Sequence, residues 1–226
     1  TYDESTYISD VLTEHAVDWL DGRDEDQPFF MYLSHKAVHS QFQPDERHQG
    51  LYEDEVIVYP PNFDTPNYGT PELPTADTDN EPLRGRDYYG DRRIPDWVKQ
   101  QRESWHGVDY MYHGDIDFEE FFQRYTETLM GIDESVGEVL DYLDANGLAE
   151  DTLVIYMGDN GFSFGEHGLI DKRHFYEESA KVPLLVRWPS QLEGGAPIES
   201  LVQNIDIAPT ILEAAGLTIP AHMQGA

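Results

Sequence analysis

Hydrophobic residues recur at helical spacing in two segments of the chain. Residues 5–21 place apolar side chains close to the i, i+3, i+4, i+7 pattern, and Ser5 stands where it can cap the first turn. Residues 117–146 repeat the pattern over a longer stretch, with Asp117 able to cap its start and Gly147 able to end it. The spacing therefore predicts two amphipathic helices, of which the second is long.

Short uninterrupted apolar runs predict buried strands between and after these helices. Residues 29–33, 152–157 and 183–188 have the length and composition of such strands. A last helix is predicted from Asp206 to Gly216, with the inward-facing residues Ile207, Ile211, Leu212 and Ala215. Because helices and strands alternate, the sequence predicts an α/β fold with a mostly parallel sheet that is flanked by helices on both faces.

A segment at about residues 43–104 interrupts this alternation. It is rich in Pro, Asp, Asn, Gly and Tyr, and its prolines forbid long helices. Its aromatic residues argue against simple disorder, and irregular segments of this length within a compact domain often form a binding surface. The sequence therefore predicts one domain over residues 1–226 that carries a large irregular insertion.

Acidic residues far outnumber basic ones. The 45 Asp and Glu residues against 14 Lys and Arg residues give a formal net charge of −31, so neither nucleic acid nor an anionic membrane is expected as a partner. The acidic residues are dispersed, and Lys occurs only at positions 36, 99, 172 and 181. This surface resembles that of halophilic proteins, in which molar salt screens the repulsion, and predicts a soluble protein of a high-salt environment. An ordinary acidic mesophilic protein is the alternative.

Missing residue types narrow the chemistry further. The chain contains no Cys, so disulfides and thiolate metal sites are excluded, and any metal must take oxygen or nitrogen ligands. No apolar run approaches the roughly 20 residues of a membrane span, and Thr1 does not open a leader peptide. Because the chain starts without Met, we expect it to be a piece of a longer protein.

Polar clusters follow the predicted strands, at the edge where sheets of this kind bind ligands. They are His35-Lys36 with His39, then residues 158–161, and then the loop at residues 166–174. Asp159 and Asn160 stand between two glycines that allow a sharp turn, and a carboxylate with an amide oxygen suits a hard cation such as Ca²⁺ or Mg²⁺. The same four residues can also form an ordinary β-turn.

Cationic residues mark the last of these clusters. Lys172, Arg173 and His174 are consecutive, and cations beside a metal can hold a tetrahedral oxyanion such as sulfate or phosphate. Alternatively, Lys172 is a surface residue paired with a nearby Glu. His39 can protonate a leaving group or bind an anion oxygen, although a histidine at a strand end is often an ordinary polar residue.

Read in order, these blocks closely resemble the sulfatase family, and as a set they are highly specific. The blocks are Phe29–His39 (FFMYLSHKAVH), Tyr156–Gly161 (YMGDNG), Gly165–Leu169 (GEHGL) with Lys172, Tyr176–Ser179 (YEES) and Val182–Leu185 (VPLL). The tail segments Asn204–Thr210 (NIDIAPT) and Met223–Gly225 (MQG) resemble the family's next block. The resemblance covers most of the chain except the insertion.

The resemblance implies an alkaline-phosphatase-like core, a bound Ca²⁺, and hydrolysis of a sulfate ester through a formylglycine nucleophile made from Cys or Ser. Asp159 and Asn160 match the family's downstream metal ligands. Lys172 matches the lysine that contacts the sulfate, and His39 matches the histidine that binds the sulfate or the leaving group. His167 lies in the matching loop and is a candidate for the wall of the substrate pocket.

Other family features are missing from this sequence. Arg173 and His174 are further substrate-binding candidates, but they come from charge and position rather than from the family pattern. The Cys/Ser-x-Pro-x-Arg segment, the paired upstream aspartates and the upstream Lys-x-His motif precede the matched region in the family and are not found here. The chain therefore resembles the downstream portion of a sulfatase catalytic domain, and we expect it to be inactive without the upstream part that carries the nucleophile.

Two alternative functions remain open at this point. A phosphatase or phosphonate hydrolase of the same superfamily needs a similar metal-held nucleophile and similar cationic contacts. A non-catalytic acidic module that binds cations would explain the charge and the missing nucleophile, but not Lys172 or the order of the polar clusters. The expected partner is a small-molecule or carbohydrate sulfate ester whose identity the sequence leaves open, and the oligomeric state is not indicated.

Overall fold

The computed structural model describes residues 6–39, 42–62, 118–166, 170–173, 175–195 and 197–225. In chain order its helices and strands are α1 (Ile8–Asp21), α2 (Phe118–Ala145), β1 (Val154–Met157), β2 (Ser163–Phe164), β3 (Ile170–Asp171), α3 (Glu177–Ala180), β4 (Leu184–Arg187) and α4 (Ile207–Ala214). Short 3₁₀ turns precede β1 and α4. Within the described part of the chain, no helix has the length and apolar character that crossing a membrane requires.

Helices α1 and α2 form where the two helical patterns predicted them, and they pack against each other. Leu20 of α1 is 1% exposed. A Cβ at Gly131 of α2 would lie 2.7 Å from the Tyr7 ring, so the glycine permits this close packing. Tyr7 occupies the N-cap position of α1 and makes no side-chain cap hydrogen bond. The predicted capping residue Ser5 lies outside the described residues.

The long helix α2 ends as the sequence predicted. Its last residue is Ala145, and Gly147 follows with a φ of +68°, a left-handed conformation that favours glycine. The Leu148 amide then donates to the carbonyl oxygen of Leu143 at 2.9 Å, which satisfies one of the free carbonyls at the helix end. The predicted capping residue Asp117 lies outside the described residues.

The described strands pair in antiparallel fashion. β1 pairs with β4, from Val154 opposite Arg187 to Met157 opposite Leu184, and β2 pairs with β3. These residues therefore do not confirm the predicted mostly parallel sheet with helices on both faces. The prediction that β4 is buried is wrong, because Leu185 is 60% exposed.

The first predicted strand, residues 29–33, is extended but belongs to no strand pair among the described residues. Its residues alternate between half-buried and exposed: Phe30 is 66% exposed and Tyr32 is 83% exposed, whereas Met31 and Leu33 between them are half-buried. The segment therefore has the two-residue period of a strand, with one face against the helices. Its sequence predicted the extended backbone, but the prediction that this strand is buried is wrong, because Phe30 and Tyr32 are exposed.

An aromatic cluster forms the main hydrophobic core in the described part of the chain. Phe42 and Phe121 are buried at its centre, and their ring centroids lie 4.8 Å apart. The half-buried rings that pack around them are Phe118, Tyr125, Phe162 and Phe164. The cluster thus joins α2 to the segment that follows β1.

Helix α4 begins behind Asp206 and is followed by Gly216, which has a φ of +69°. Both ends agree with the predicted bounds. Its inward face is only partly as predicted, because Pro209 is the buried residue whereas Ala215 is exposed.

A charged network fixes the described part of the insertion to the helices. Residues 43–62 contain turns but no helix or strand, as predicted, and residues 63–104 lie outside the described part. The Arg47 guanidinium contacts Asp10 of α1 and Glu134 of α2, each at 2.7 Å. Hydrogen bonds from Arg47 lower the pKa of Asp10, and hydrogen bonds from His48 and Arg47 lower the pKa of Glu134.

Replacing Arg47 by Met is expected to lower the free energy of unfolding by about 1 kcal/mol at neutral pH, because the ion pairs are partly exposed and screened. Both carboxyl groups have lowered pKa values in the folded state, so their contribution is present above pH ~4 and is lost as the pH falls through the lowered pKa values. Urea denaturation of the full-length protein and its Arg47→Met variant at pH 7 and pH 3 measures this. A difference of the same size at both pH values would contradict the prediction.

Candidate active site

Asp159 and Asn160 lie directly after β1, as their position behind a strand predicted. The Asp159 carboxylate accepts a hydrogen bond from the backbone amide of Asn160 at 2.9 Å. The side-chain amide of Asn160 donates to the Gly161 carbonyl oxygen at 2.8 Å. Asp159 is exposed and Asn160 is half-buried. Because the Asn160 nitrogen is held by its own loop, its side-chain oxygen is directed elsewhere and can serve as a ligand.

Gly161 holds this loop against α3. Its amide donates to the Ser179 carbonyl oxygen at 2.9 Å, and a Cβ on Gly161 would overlap the Glu178 carbonyl oxygen and lie 3.0 Å from that of Lys181. Only glycine allows the two backbones to approach this closely. The loop that carries Asp159 is therefore positioned by a contact that no other residue type permits without movement.

Lys172 is positioned by the β2–β3 ribbon. It follows Asp171, which lies opposite Ser163 in the strand pair and is 6% exposed. Asp171 has a φ of +101°, a conformation that non-glycine residues rarely adopt, so the chain turns sharply before Lys172. Arg173 is exposed and forms an ion pair with the Asp171 carboxylate at 3.0 Å.

His39 lies in a turn, where its amide donates to the Lys36 carbonyl oxygen at 2.9 Å, and its side chain is exposed. Phe42, three residues later, packs against Phe162 and Phe164, with ring centroids 6.1 and 6.5 Å apart. His167 and His174, the other two predicted histidines, lie outside the described residues. The turn of His39 is thus close in sequence to a residue that contacts the β2 region.

The aromatic cluster joins residues that lie close in sequence to the three polar clusters. Phe42 follows the His39 turn, Phe162 follows the Asp159 loop, and Phe164 lies in β2, which pairs with the strand before Lys172. The sequence predicted that the polar clusters themselves meet at the ends of parallel strands, and this stays a prediction. Among the described residues, the ring contacts join Phe42, Phe162 and Phe164, which are neighbours of those clusters in the chain.

The candidate metal site contains two oxygen donors within the described residues. Among these residues, no group of three or more His, Asp or Glu side chains is arranged to hold a metal ion. Asp159 and Asn160 fit a hard cation in the chemistry of their oxygen atoms, but Ca²⁺ usually takes six to eight oxygen ligands. The assignment of these two residues to a calcium site therefore stays a prediction.

Two residues of this region were missed by the sequence interpretation. Asp171 is a buried carboxylate beside Lys172 that pairs with Arg173, and Gly161 makes the close approach to α3. For Asp171, the sequence shows a signal, because a carboxylate stands next to a run of cations. Gly161 can be recognised in the sequence only as a turn glycine, because the backbone of Glu178 that approaches it is 17 residues farther along the chain.

Comparison with known proteins identifies close similarity to one family. The family model described as "Sulfatase" matches residues 1–217. The chain is 29% identical to an N-acetylglucosamine-6-O-sulfatase of Bacteroides thetaiotaomicron, over 99% of this chain and 45% of the relative. It is 30% identical to the human N-acetylglucosamine-6-sulfatase, over 93% of this chain and 33% of that protein.

A solved structure shows the same similarity in three dimensions. It is a protein bound to its substrate D-glucosamine-2-N,6-O-disulfate, is 27% identical, and superposes with a TM-score of 0.73 over 97% of this chain and 51% of its own length. The chain therefore spans about half the length, or less, of the relatives that it matches.

Proposed function

Because this chain belongs to the sulfatase family, we propose that the full-length protein hydrolyses the 6-O-sulfate ester of a glucosamine-type sugar. The observation that carries the proposal is the family match over residues 1–217, together with relatives from a bacterium and a mammal that both bear the name N-acetylglucosamine-6-sulfatase. The solved relative with glucosamine disulfate as its substrate supports the same class of sugar.

The site residues predicted from the sequence have complementary roles in this proposal. Sulfate ester hydrolysis breaks a sulfur–oxygen bond, and negative charge develops on the sulfate oxygens and on the departing alcohol. Lys172 neutralises charge on the sulfate, and His39 donates a proton to the leaving oxygen. Asp159 and Asn160 hold the cation, with further ligands and a formylglycine nucleophile expected outside this sequence. Arg173, His167 and His174 are proposed to contact the substrate.

The metal is proposed to be Ca²⁺, which supplies positive charge next to the sulfate when it is bound. Asp159→Ala removes one oxygen ligand and should weaken calcium binding by the full-length protein about tenfold or more, while Asp151→Ala, in the exposed 3₁₀ turn before β1, should leave it unchanged. Isothermal titration calorimetry measures both. Equal calcium affinity in wild type and Asp159→Ala would contradict the assignment.

The proposed activity is tested with four substrates and the full-length protein. We expect turnover of N-acetylglucosamine-6-sulfate and nitrophenyl sulfate, and much slower turnover of nitrophenyl phosphate and a phosphonate monoester. Preferred turnover of either phosphorus ester would favour the phosphatase or phosphonate hydrolase alternative. No turnover of any ester, with calcium binding retained, would favour the non-catalytic cation-binding module.

The high-salt environment is also a proposal, supported by the net charge of −31. The dispersed carboxylates repel one another, and molar salt reduces this repulsion because the screening length falls to about 3 Å at 1 M. The thermal midpoint, followed by circular dichroism, should therefore be higher in molar KCl than in dilute buffer. Equal midpoints would remove the halophilic proposal.

A further inference from the structure

A buried polar chain links His35 to both long helices. The His35 Nε2 atom lies 3.1 Å from the Ser135 hydroxyl of α2, which in turn lies 2.5 Å from the Thr13 hydroxyl of α1. Thr13 also donates to the Ser9 carbonyl oxygen at 2.8 Å. Ser135 and Thr13 are each 2% exposed, so this contact between residue 35 and the helices is shielded from water.

Counting protons along this chain fixes the form of the imidazole. Thr13 has one hydroxyl proton, and the Ser9 carbonyl can only accept, so Ser135 must donate to Thr13. Ser135 then has no proton left for His35, and His35 must donate through Nε2. The Nδ1 atom is buried and has no hydrogen-bond partner in the described residues. Burial also lowers the pKa of His35, which favours the neutral ring with its proton on Nε2.

The segment that begins at His35 contacts α2 at both of its ends. Ser135 holds His35, whereas Phe42 packs on Tyr125 and Phe121, with ring centroids 5.3 and 4.8 Å away. The turn at residues 36–39 therefore lies between two contacts with α2, one before it and one after it in the chain.

His39 lies within this segment, in the turn closed by its amide and the Lys36 carbonyl oxygen. We propose that His35 is a positioning residue of the catalytic centre: its hydrogen bond to Ser135 holds the turn at residues 36–39, and so places the His39 imidazole against the substrate. The role rests on the proposed sulfatase function. His35 does not touch the substrate in this proposal and acts only through His39.

The test compares His35→Leu, His35→Gln, His39→Ala and the double variant His35→Leu/His39→Ala in the full-length protein. His35→Leu removes the donor at similar volume, whereas the side-chain amide of His35→Gln can reach the place of Nε2. Tyr142→Phe is the matched control, because it removes the hydrogen bond to Asp21 in the same α1–α2 interface. Measurements are kcat/KM for nitrophenyl sulfate, thermal midpoints, and hydrogen exchange of the peptide that covers residues 35–42.

We expect His35→Leu to lower kcat/KM about 10- to 100-fold, the scale of a misplaced catalytic group, with partial recovery in His35→Gln and no loss in Tyr142→Phe. In the His39→Ala background, His35→Leu should change kcat/KM less than about twofold, because positioned and positioning residues act as a unit. Exchange at residues 35–42 should rise in His35→Leu.

Additive losses in the double variant, or unchanged exchange and turnover in His35→Leu, would overturn the proposal. If the wild-type protein turns over no sulfate ester, the proposed function fails. The exchange measurement then still decides whether His35 holds the turn.

Discussion

Lys172→Ala is expected to lower kcat/KM for a sulfate ester by roughly 10²-fold or more, the scale at which removal of one oxyanion contact acts. The neighbouring Arg173 is not expected to take over, because its guanidinium is already paired with the buried Asp171 carboxylate at 3.0 Å. Lys172→Arg should recover activity only in part, since the broad guanidinium fork does not fill the place of a compact ammonium.

The matched control for this prediction is Lys181→Ala. Lys181 is exposed and follows α3, so loss of its side chain should leave turnover unchanged. Steady-state kinetics with nitrophenyl sulfate and N-acetylglucosamine-6-sulfate measure all three variants. Wild-type kcat/KM in Lys172→Ala would remove Lys172 from the catalytic site, and equal losses in both Ala variants would indicate a general effect of charge.

Gly161→Ala is expected to destabilise the fold and to displace the candidate metal ligands together. The added methyl group would overlap the backbone at Glu178, and neither backbone can move without breaking the 2.9 Å hydrogen bond from the Gly161 amide to Ser179. Overpacking of this kind costs about 1–3 kcal/mol. Because Asp159 and Asn160 lie in the same loop, turnover should fall about tenfold or more.

Gly137→Ala provides the control for this backbone change. Gly137 lies inside α2, and a Cβ there would meet nothing within 4 Å, so Ala should be neutral or stabilising by up to ~1 kcal/mol. Urea denaturation and turnover of the full-length variants distinguish the two sites. If Gly161→Ala matches wild type in stability and calcium affinity, the close approach to α3 does not hold the site.

Local sequence signals predicted the helices and the placement of the metal-ligand candidates. The end of α2 at Gly147 depends on the backbone preferences of one residue. Asp159 and Asn160 were identifiable because a strong strand ends directly before them. Such signals involve residues close together in the chain, so they can be recognised without knowledge of the fold.

Strand direction and exposure could not be obtained in this way. The apolar residues of β4 predicted a buried parallel strand, yet β4 runs antiparallel to β1 and Leu185 is 60% exposed. An apolar run specifies that a strand can form, but its neighbour and its burial depend on which segments reach it. Likewise, Ala215 fits the helical period of α4, but nothing in the described structure covers that side.

The sequence by itself thus determined the family, the helices and the residue types available for the chemistry, because these follow from short-range pattern and from chemical groups. Only the tertiary structure decided which segments meet. The aromatic contacts of Phe42, the approach of Gly161 to α3, and the hydrogen bond between His35 and Ser135 join residues that are 17 to 122 positions apart. The energies of such contacts depend on packing distance and exclusion of water, and no periodicity in the chain encodes either quantity.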